Sequence, residues 1–220
     1  MKALGADGCR GGWVVASLHG VDVLDRLEGI VADATVAVIG VDMPIGLPRT
    51  WGREADREAR RLLGRPRASS VFSTPPRSLL TATSYATANQ RSRSELGQGL
   101  TRQTYHLFAR IREVDHLVTA LAAAVPGDRL VEIHPECSFR VMAGEPVPSK
   151  HTAGGIERRR ALLLPRFGAV VDERPTGAAA DDVLDAFAAL WSAERFARGE
   201  HLTLGDGSMD ERGLPMRIVI

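Results

Sequence analysis

Apolar and polar positions alternate from the first residues of the chain. Residues 3–7 and 13–18 each have the pattern of a short β-strand. Between them lies GCRGG, whose glycines can adopt the positive φ of a tight hairpin connection. VDVLDRL (residues 21–27) continues as a third strand or strand edge, leading into a short helix near residues 27–34. VAVIGV (residues 36–41) is apolar throughout, which suits a strand buried on both faces with a parallel neighbour. READREARRLL (residues 53–63) favours a helix ended by Gly64. Residues 65–99 show no sustained period. So long a structureless stretch is unusual in a compact domain, so a short helix is expected there, in an inserted cap or lid at about residues 65–100.

Farther along, Thr101 can cap a helix reaching to about Ala124, with Tyr105, Phe108, Ile111, Leu117 or Val118, and Leu121 along one side. RLVEIHPE (residues 129–136) reads as a short strand and a turn, residues 154–164 as a basic helix, and RFGAVV (residues 166–171) as a brief strand or extended link. Residues 181–198 form the clearest late helix, closed by Gly199, and LPMRIVI (residues 214–220) suits a last edge strand. No internal repeat or dividing linker interrupts the pattern. It predicts a single α/β domain over residues 1–220.

Composition narrows the function classes. With a formal net charge of +1, the 220-residue chain is not built to grip long nucleic acid by bulk electrostatics, although a small site could still reach one phosphate through a metal. Lys2 and Lys150 are the only lysines, and the arginine excess follows genome composition more readily than function. Residues 49–67 hold seven arginines but also Glu54, Asp56 and Glu58, a mixed-sign face rather than a nucleic-acid tract. Cys9 and Cys137 form neither a metal-spacing pair nor a disulfide framework. With no signal-peptide pattern and no run of 18 apolar residues, the expectation is a cytoplasmic protein without membrane contact.

The candidate chemistry lies in carboxylates. AVIGVDMPIGLP (residues 37–48) runs apolar and then stops on Asp42, with Pro44, Gly46 and Pro48 fixing the chain beyond it. Asp7 likewise ends an apolar strand. In AAADDVLDAFAALWSAERFARG (residues 178–199), Asp182 and Asp185 share a helical face, as do Asp181 and Asp185. Ala179, Ala180 and Ala186 permit close approach to a strand, while Phe187, Leu190, Trp191 and Phe196 offer a docking surface. Acids at a helix N-terminus also complement its dipole without any further role. Clustered carboxylates repel unless protons or cations intervene, and hard oxygen ligands favour Mg²⁺ or Mn²⁺.

GADGCRGGWVVA (residues 5–16), VDMPIGLP (41–48), STPPR (73–77), EIHPECSF (132–139), SKHTAGGIERRRALL (149–163) and DDVLDAFAALWSAERFARG (181–199) resemble, in order, the blocks of the DUF429 family. That family is described as nuclease-like with a ribonuclease H-like fold. The resemblance implies a mixed sheet flanked by helices in which Asp7 on the first strand faces Asp42 on the fourth. Asp182 and Asp185 would complete a site for Mg²⁺ or Mn²⁺, Asp7 bridging. The DxxDA at residues 182–186 is similar to the late-helix signature of Holliday-junction resolvases.

Glu132 is a further candidate ligand and His134 an orienting or proton-transfer residue, with Glu136 the alternative acid. Arg10, Arg77 and Lys150 are candidate contacts to substrate phosphate. The expected function is metal-dependent phosphodiester hydrolysis of nucleic acid or a small phosphorylated molecule. The alternatives are a non-catalytic ribonuclease H-like binding or scaffold module, and a relative of the actin-like ATPases, which the absence of an internal repeat disfavours. Oligomeric state stays open.

Overall fold

In the computed structural model, which describes residues 2–124 and 128–220, the alternation along the first strand sorts its side chains onto two faces. β1 (Lys2–Cys9) turns Leu4 and Ala6 into one hydrophobic cluster and Ala3 and Cys9 into another. β2 (Gly12–Ser17) and β3 (Gly20–Leu24) follow as antiparallel neighbours. After α1 (Glu28–Ala32), β4 (Val36–Val41) lies parallel to β1, with Leu4 beside Ile39 and Ala6 beside Val41. The chain then runs through α2 (Glu54–Leu63), α3 (Tyr85–Leu96), α4 (Arg102–His106) and α5 (Phe108–Ala124) before β5 (Leu130–Glu132) adds in parallel to β4. The result is a mixed five-stranded sheet in the order β3-β2-β1-β4-β5, flanked by helices.

On one face, Phe108, Ile111 and Val114 of α5 pack on Leu4, Ala6, Ile39 and Val41. The other is covered by α6 (Pro135–Ala143), α7 (Ala153–Phe167) and above all α8 (Ala180–Arg198), in which Val183, Leu184 and every residue from Ala186 to Leu190 are fully buried. α8 lies on β1 and β4 with almost no side chain between. A Cβ at Gly5 would stand 2.1 Å from the Ala186 carbonyl oxygen, and one at Gly40 would stand 2.7 Å from that of Ala189. Glycine at these two strand positions lets helix backbone rest on sheet backbone. β6 (Thr203–Leu204) and β7 (Ile218–Val219) form a small ribbon near the β5 edge, where Val219 bridges Ile133.

Several expectations change. The RFGAVV stretch is not a strand. α7 continues through Phe167, and a 3-10 turn over Gly168–Asp172 follows because Gly168, at φ +69°, ends the helix. The proline after His134 begins α6 rather than a mere turn; proline suits the first helical turn, where its missing N–H is not needed. The helix expected from Thr101 breaks after His106 into α4 and α5. Residues 65–100 contain two 3-10 turns, Arg67–Ser70 and Arg77–Thr81, followed by α3, which Ser84 caps by accepting from the Thr87 N–H. Trp191 is only half-buried, beneath the Arg195 guanidinium, so Phe187 and Leu190 carry the docking of α8.

Gly5→Ala is expected to destabilise the protein by about 3 kcal/mol or more, the upper end of over-packing costs, because its methyl would meet backbone that cannot rotate away. Gly154→Ala, with open space around its Cβ, should be neutral or slightly stabilising. Urea midpoints of the two variants check this. An unchanged midpoint for Gly5→Ala would contradict the seating of α8.

Candidate active site

The register of two strands sets the site. Ala6 pairs with Val41, and the Asp42 N–H continues the ladder by donating to the Ala6 carbonyl at 3.0 Å, so Asp7 and Asp42 are neighbours at the carboxyl ends of β1 and β4. Both have the strand parity of Gly5 and Gly40 and therefore point to the α8 face. Asp185 precedes Ala186, the residue seated against Gly5, and lies beside them, with Asp182 one turn nearer the helix start. Lys150, just before α7, donates to Asp185 Oδ2 at 2.6 Å and stands 3.5 Å from Asp181. The four acids Asp7, Asp42, Asp182 and Asp185 line one cleft of about 450 Å³, together with Glu136, His134, Lys150, Arg67 and Arg110.

Burial dominates the electrostatics. It raises the Asp7 carboxyl well above its ordinary value, and the charges of Asp42 and Asp185 raise it further while Lys150 pulls it down. Asp42 is pushed up to about 8, by burial first and then by Asp185, against the attraction of Lys150 and a hydrogen bond with Asp7. Asp185 is pushed up to about 6 by burial, less than its neighbour because Lys150 contacts it directly. Burial alone would lower the Lys150 ammonium, but Asp185, Asp7 and Asp181 together lift it above its usual range. Asp7, Asp42 and Asp185 thus share the cleft with the Lys150 ammonium, and Asp185 Oδ1 is left without a hydrogen-bond partner. Asp182 has a local partner, since its Oδ2 accepts from the Ala179 N–H at 3.1 Å as part of the helix cap.

The remaining candidates are distributed differently. Glu132 is buried but does not line the cleft. Its Oε2 accepts from Arg53 Nη1 at 2.6 Å and from the Ile45 N–H at 2.7 Å, and its Oε1 accepts from Arg53 Nη2. Arg53 Nη1 also donates to the Ile45 carbonyl at 2.9 Å, so this pair grips both backbone groups of one residue in the loop after Asp42. Asp56 anchors the other side of Arg53 and accepts from the Thr74 N–H, tying STPPR to the same knot. Glu136 does line the cleft, but Arg159 engages both its oxygens at 2.7 and 2.8 Å.

His134 lines the cleft with an unpartnered Nδ1, and burial lowers its pKa, keeping the ring neutral at pH 7. Arg77 does not reach the acids. It is buried between Asp115, at 2.9 Å, and Asp210, where it fastens the C-terminal segment. Arg10 lies on the exposed β1–β2 turn and lines a different cavity. Arg110 and Arg67 reach the cleft without having been singled out in the sequence, because neither sits in a motif block. No group of three or more His, Cys, Asp or Glu side chains able to hold a metal ion occurs among the described residues. No helix there is long and apolar enough to cross a membrane.

The raised carboxyls make stability depend on pH. For each, the folded-state pKa exceeds the unfolded value, so the protein binds more protons folded than unfolded between the two. The stabilisation is complete below about pH 4 and is lost as pH rises through about 6 for Asp185 and about 8 for Asp42. In EDTA, Asp42→Asn should therefore melt several degrees above wild type at pH 8, with the difference closing towards pH 4.5. Thermal melts across that range check the sign. A variant melting below wild type at pH 8 would refute the account.

A family model described as "Protein of unknown function (DUF429)" matches residues 5–209. No curated protein and no solved structure matches the chain. The chain belongs to the DUF429 family.

Proposed function

We propose that this DUF429 chain is a divalent-metal-dependent phosphodiester hydrolase of ribonuclease H-like type, acting on nucleic acid or a small phosphoester. The observation that carries the reading is the convergence of Asp7 and Asp42, from adjacent parallel strand ends, with Asp185 of α8, whose Oδ1 lacks a partner. Carboxylate oxygens held together in a partly enclosed cleft are the donor set that Mg²⁺ or Mn²⁺ prefers. These carboxyls are not a ready metal site as they stand. Asp7, Asp42 and Asp185 would hold the ion once Lys150 gave up its contact with Asp185, with Asp182 behind them. When bound, it would supply a more acidic water and screen charge building on the phosphate.

The chain's own groups account for the rest. Lys150 is an ammonium at the cleft wall, suited to exchanging its contact with Asp185 for a phosphate oxygen. Arg110 and Arg67 lie where a phosphate or its neighbour would be gripped. His134 is neutral, with Nδ1 free to hold a proton at the departing oxygen. Arg53 and Glu132 fix the loop that follows Asp42 and so orient its carboxylate.

The Lys150–Asp185 pair favours a second reading, a non-catalytic binding module. There the ammonium is the permanent counter-charge of the acids, and Asp182 serves only its helix cap. Calorimetric titration of Mg²⁺ and Mn²⁺ into wild type and Asp7→Asn, with folding checked by circular dichroism, separates the two. The hydrolase reading expects binding that disappears in the variant, accompanied by metal-dependent cleavage of bis(p-nitrophenyl) phosphate. Wild type that neither binds metal nor cleaves the diester would leave the binding module.

A further inference from the structure

A cavity of about 650 Å³ is separate from the acidic cleft but shares one wall residue with it, Arg110. Arg110 is half-buried and placed with care. A Cβ at Gly8, the residue after Asp7, would stand 2.7 Å from its Nε, so the side chain passes close over that glycine. Its Nη2 donates to the Cys9 carbonyl, and its guanidinium stands 6.0 Å from the centre of the Trp13 ring. Both of these partners are uncharged and fix the group, while its charge also acts on Asp182 in the acidic cleft, lowering a carboxyl that burial raises.

Arg10, Arg26 and Arg112 line the same cavity, all three exposed. Arg112 likewise donates to a neutral acceptor, the Leu80 carbonyl. Of the acids on the walls, Glu113 is occupied on both oxygens, by the Trp13 indole N–H at 3.1 Å and the Leu27 N–H at 2.9 Å. Those two donors are uncharged and neutralise nothing, so four arginines face three acids, Asp25, Glu28 and Glu113, and the basic groups outnumber the acidic ones by one. The two cavities therefore form an acidic seat and a basic annex joined at a single fixed guanidinium. Each falls within the range of about 300–1,000 Å³ usual for ligand sites.

We infer that the basic cavity binds the phosphates of a phosphodiester-linked chain on one side of the bond held over Asp7 and Asp42, Arg110 gripping the phosphate at the junction. The substrate class is then a single-stranded oligonucleotide rather than an isolated phosphomonoester. A ligand that fills both cavities must carry anions in each, whereas a lone phosphate satisfies one. This rests on the hydrolase reading for the role of the cleft, while binding in the annex needs no metal.

Fluorescence anisotropy in EDTA tests it, with fluorescein-labelled single-stranded DNA and RNA of about ten nucleotides, and thymidine monophosphate as competitor. Wild type should bind at least one of the oligonucleotides far more tightly than the mononucleotide. A preference between the two would assign the sugar. Arg110→Ala should weaken binding by about tenfold and reduce the slope of log K against log salt by about 0.7, the share of one phosphate contact on a single strand. The Arg10→Ala/Arg26→Ala variant alters exposed side chains only and should lose affinity in the same direction.

Oligonucleotides that bind no better than the mononucleotide, or arginine variants that bind as wild type does, would overturn the inference. If that happens while Mg²⁺ binding persists and depends on Asp7, the hydrolase reading stands without it. Arginine-dependent binding in a protein that takes up no metal would uphold the annex and remove the hydrolase.

Discussion

The contact of α8 with β1 and β4 is the constraint on which the rest depends. Two strand glycines, Gly5 and Gly40, remove the layer of side chains that normally separates a helix from a sheet. The helix sinks until carbonyl oxygens of Ala186 and Ala189 would touch any added Cβ. The same descent carries Asp185 into the space beside Asp7 and Asp42, three carboxyls from three distant stretches of chain. With larger residues at those two positions, α8 would stand off by the thickness of a side chain, and its acids would face water rather than one another. Packing and chemistry are therefore set by the same two positions.

Close approach has an electrostatic consequence. Each carboxyl is raised chiefly by burial and secondarily by its neighbours, so the charges cannot all persist at neutral pH without compensation. Lys150 supplies one positive charge and Arg159 another, the latter spent on Glu136. The balance is incomplete, and that incompleteness distinguishes the cleft from the buried Arg53–Asp56–Glu132 knot, where nearly every donor and acceptor has a partner. One cluster is closed and holds the fold. The other is open and faces a cavity.

Much of the fold was legible because it rests on local pattern. The four strands before α2 follow from apolar alternation and glycine-bearing turns, and α8 from its period and closing glycine. Asp7 and Asp42 were visible as charged residues at the ends of strands otherwise fit for the core. Less legible was everything decided by long-range pairing. Glu132 and Arg53 are 79 residues apart, and Arg77 meets Asp210 across 133, so nothing local separates a structural arginine from one that awaits a phosphate. α6 was hidden because Pro135 signals a turn and a helix start equally well. The arginines of the large cavity come from positions 10, 26, 110 and 112, and no sequence window groups them, whereas the dense run between residues 49 and 67 drew notice while lying largely elsewhere.

The grip of Arg53 and Glu132 on Ile45 sets what ligand binding must cost. Both backbone groups of that residue are tied to a buried ion pair, so the loop after Asp42 has already surrendered its conformational freedom when the chain folds. A ligand entering the cleft orders little main chain there and incurs correspondingly little entropy loss. Lys150, whose contact with Asp185 would have to open, is a flexible stem on the cleft wall. If the cleft takes a ligand as proposed, its filling would then depend on side-chain rotamer changes rather than on the folding of the loop after Asp42.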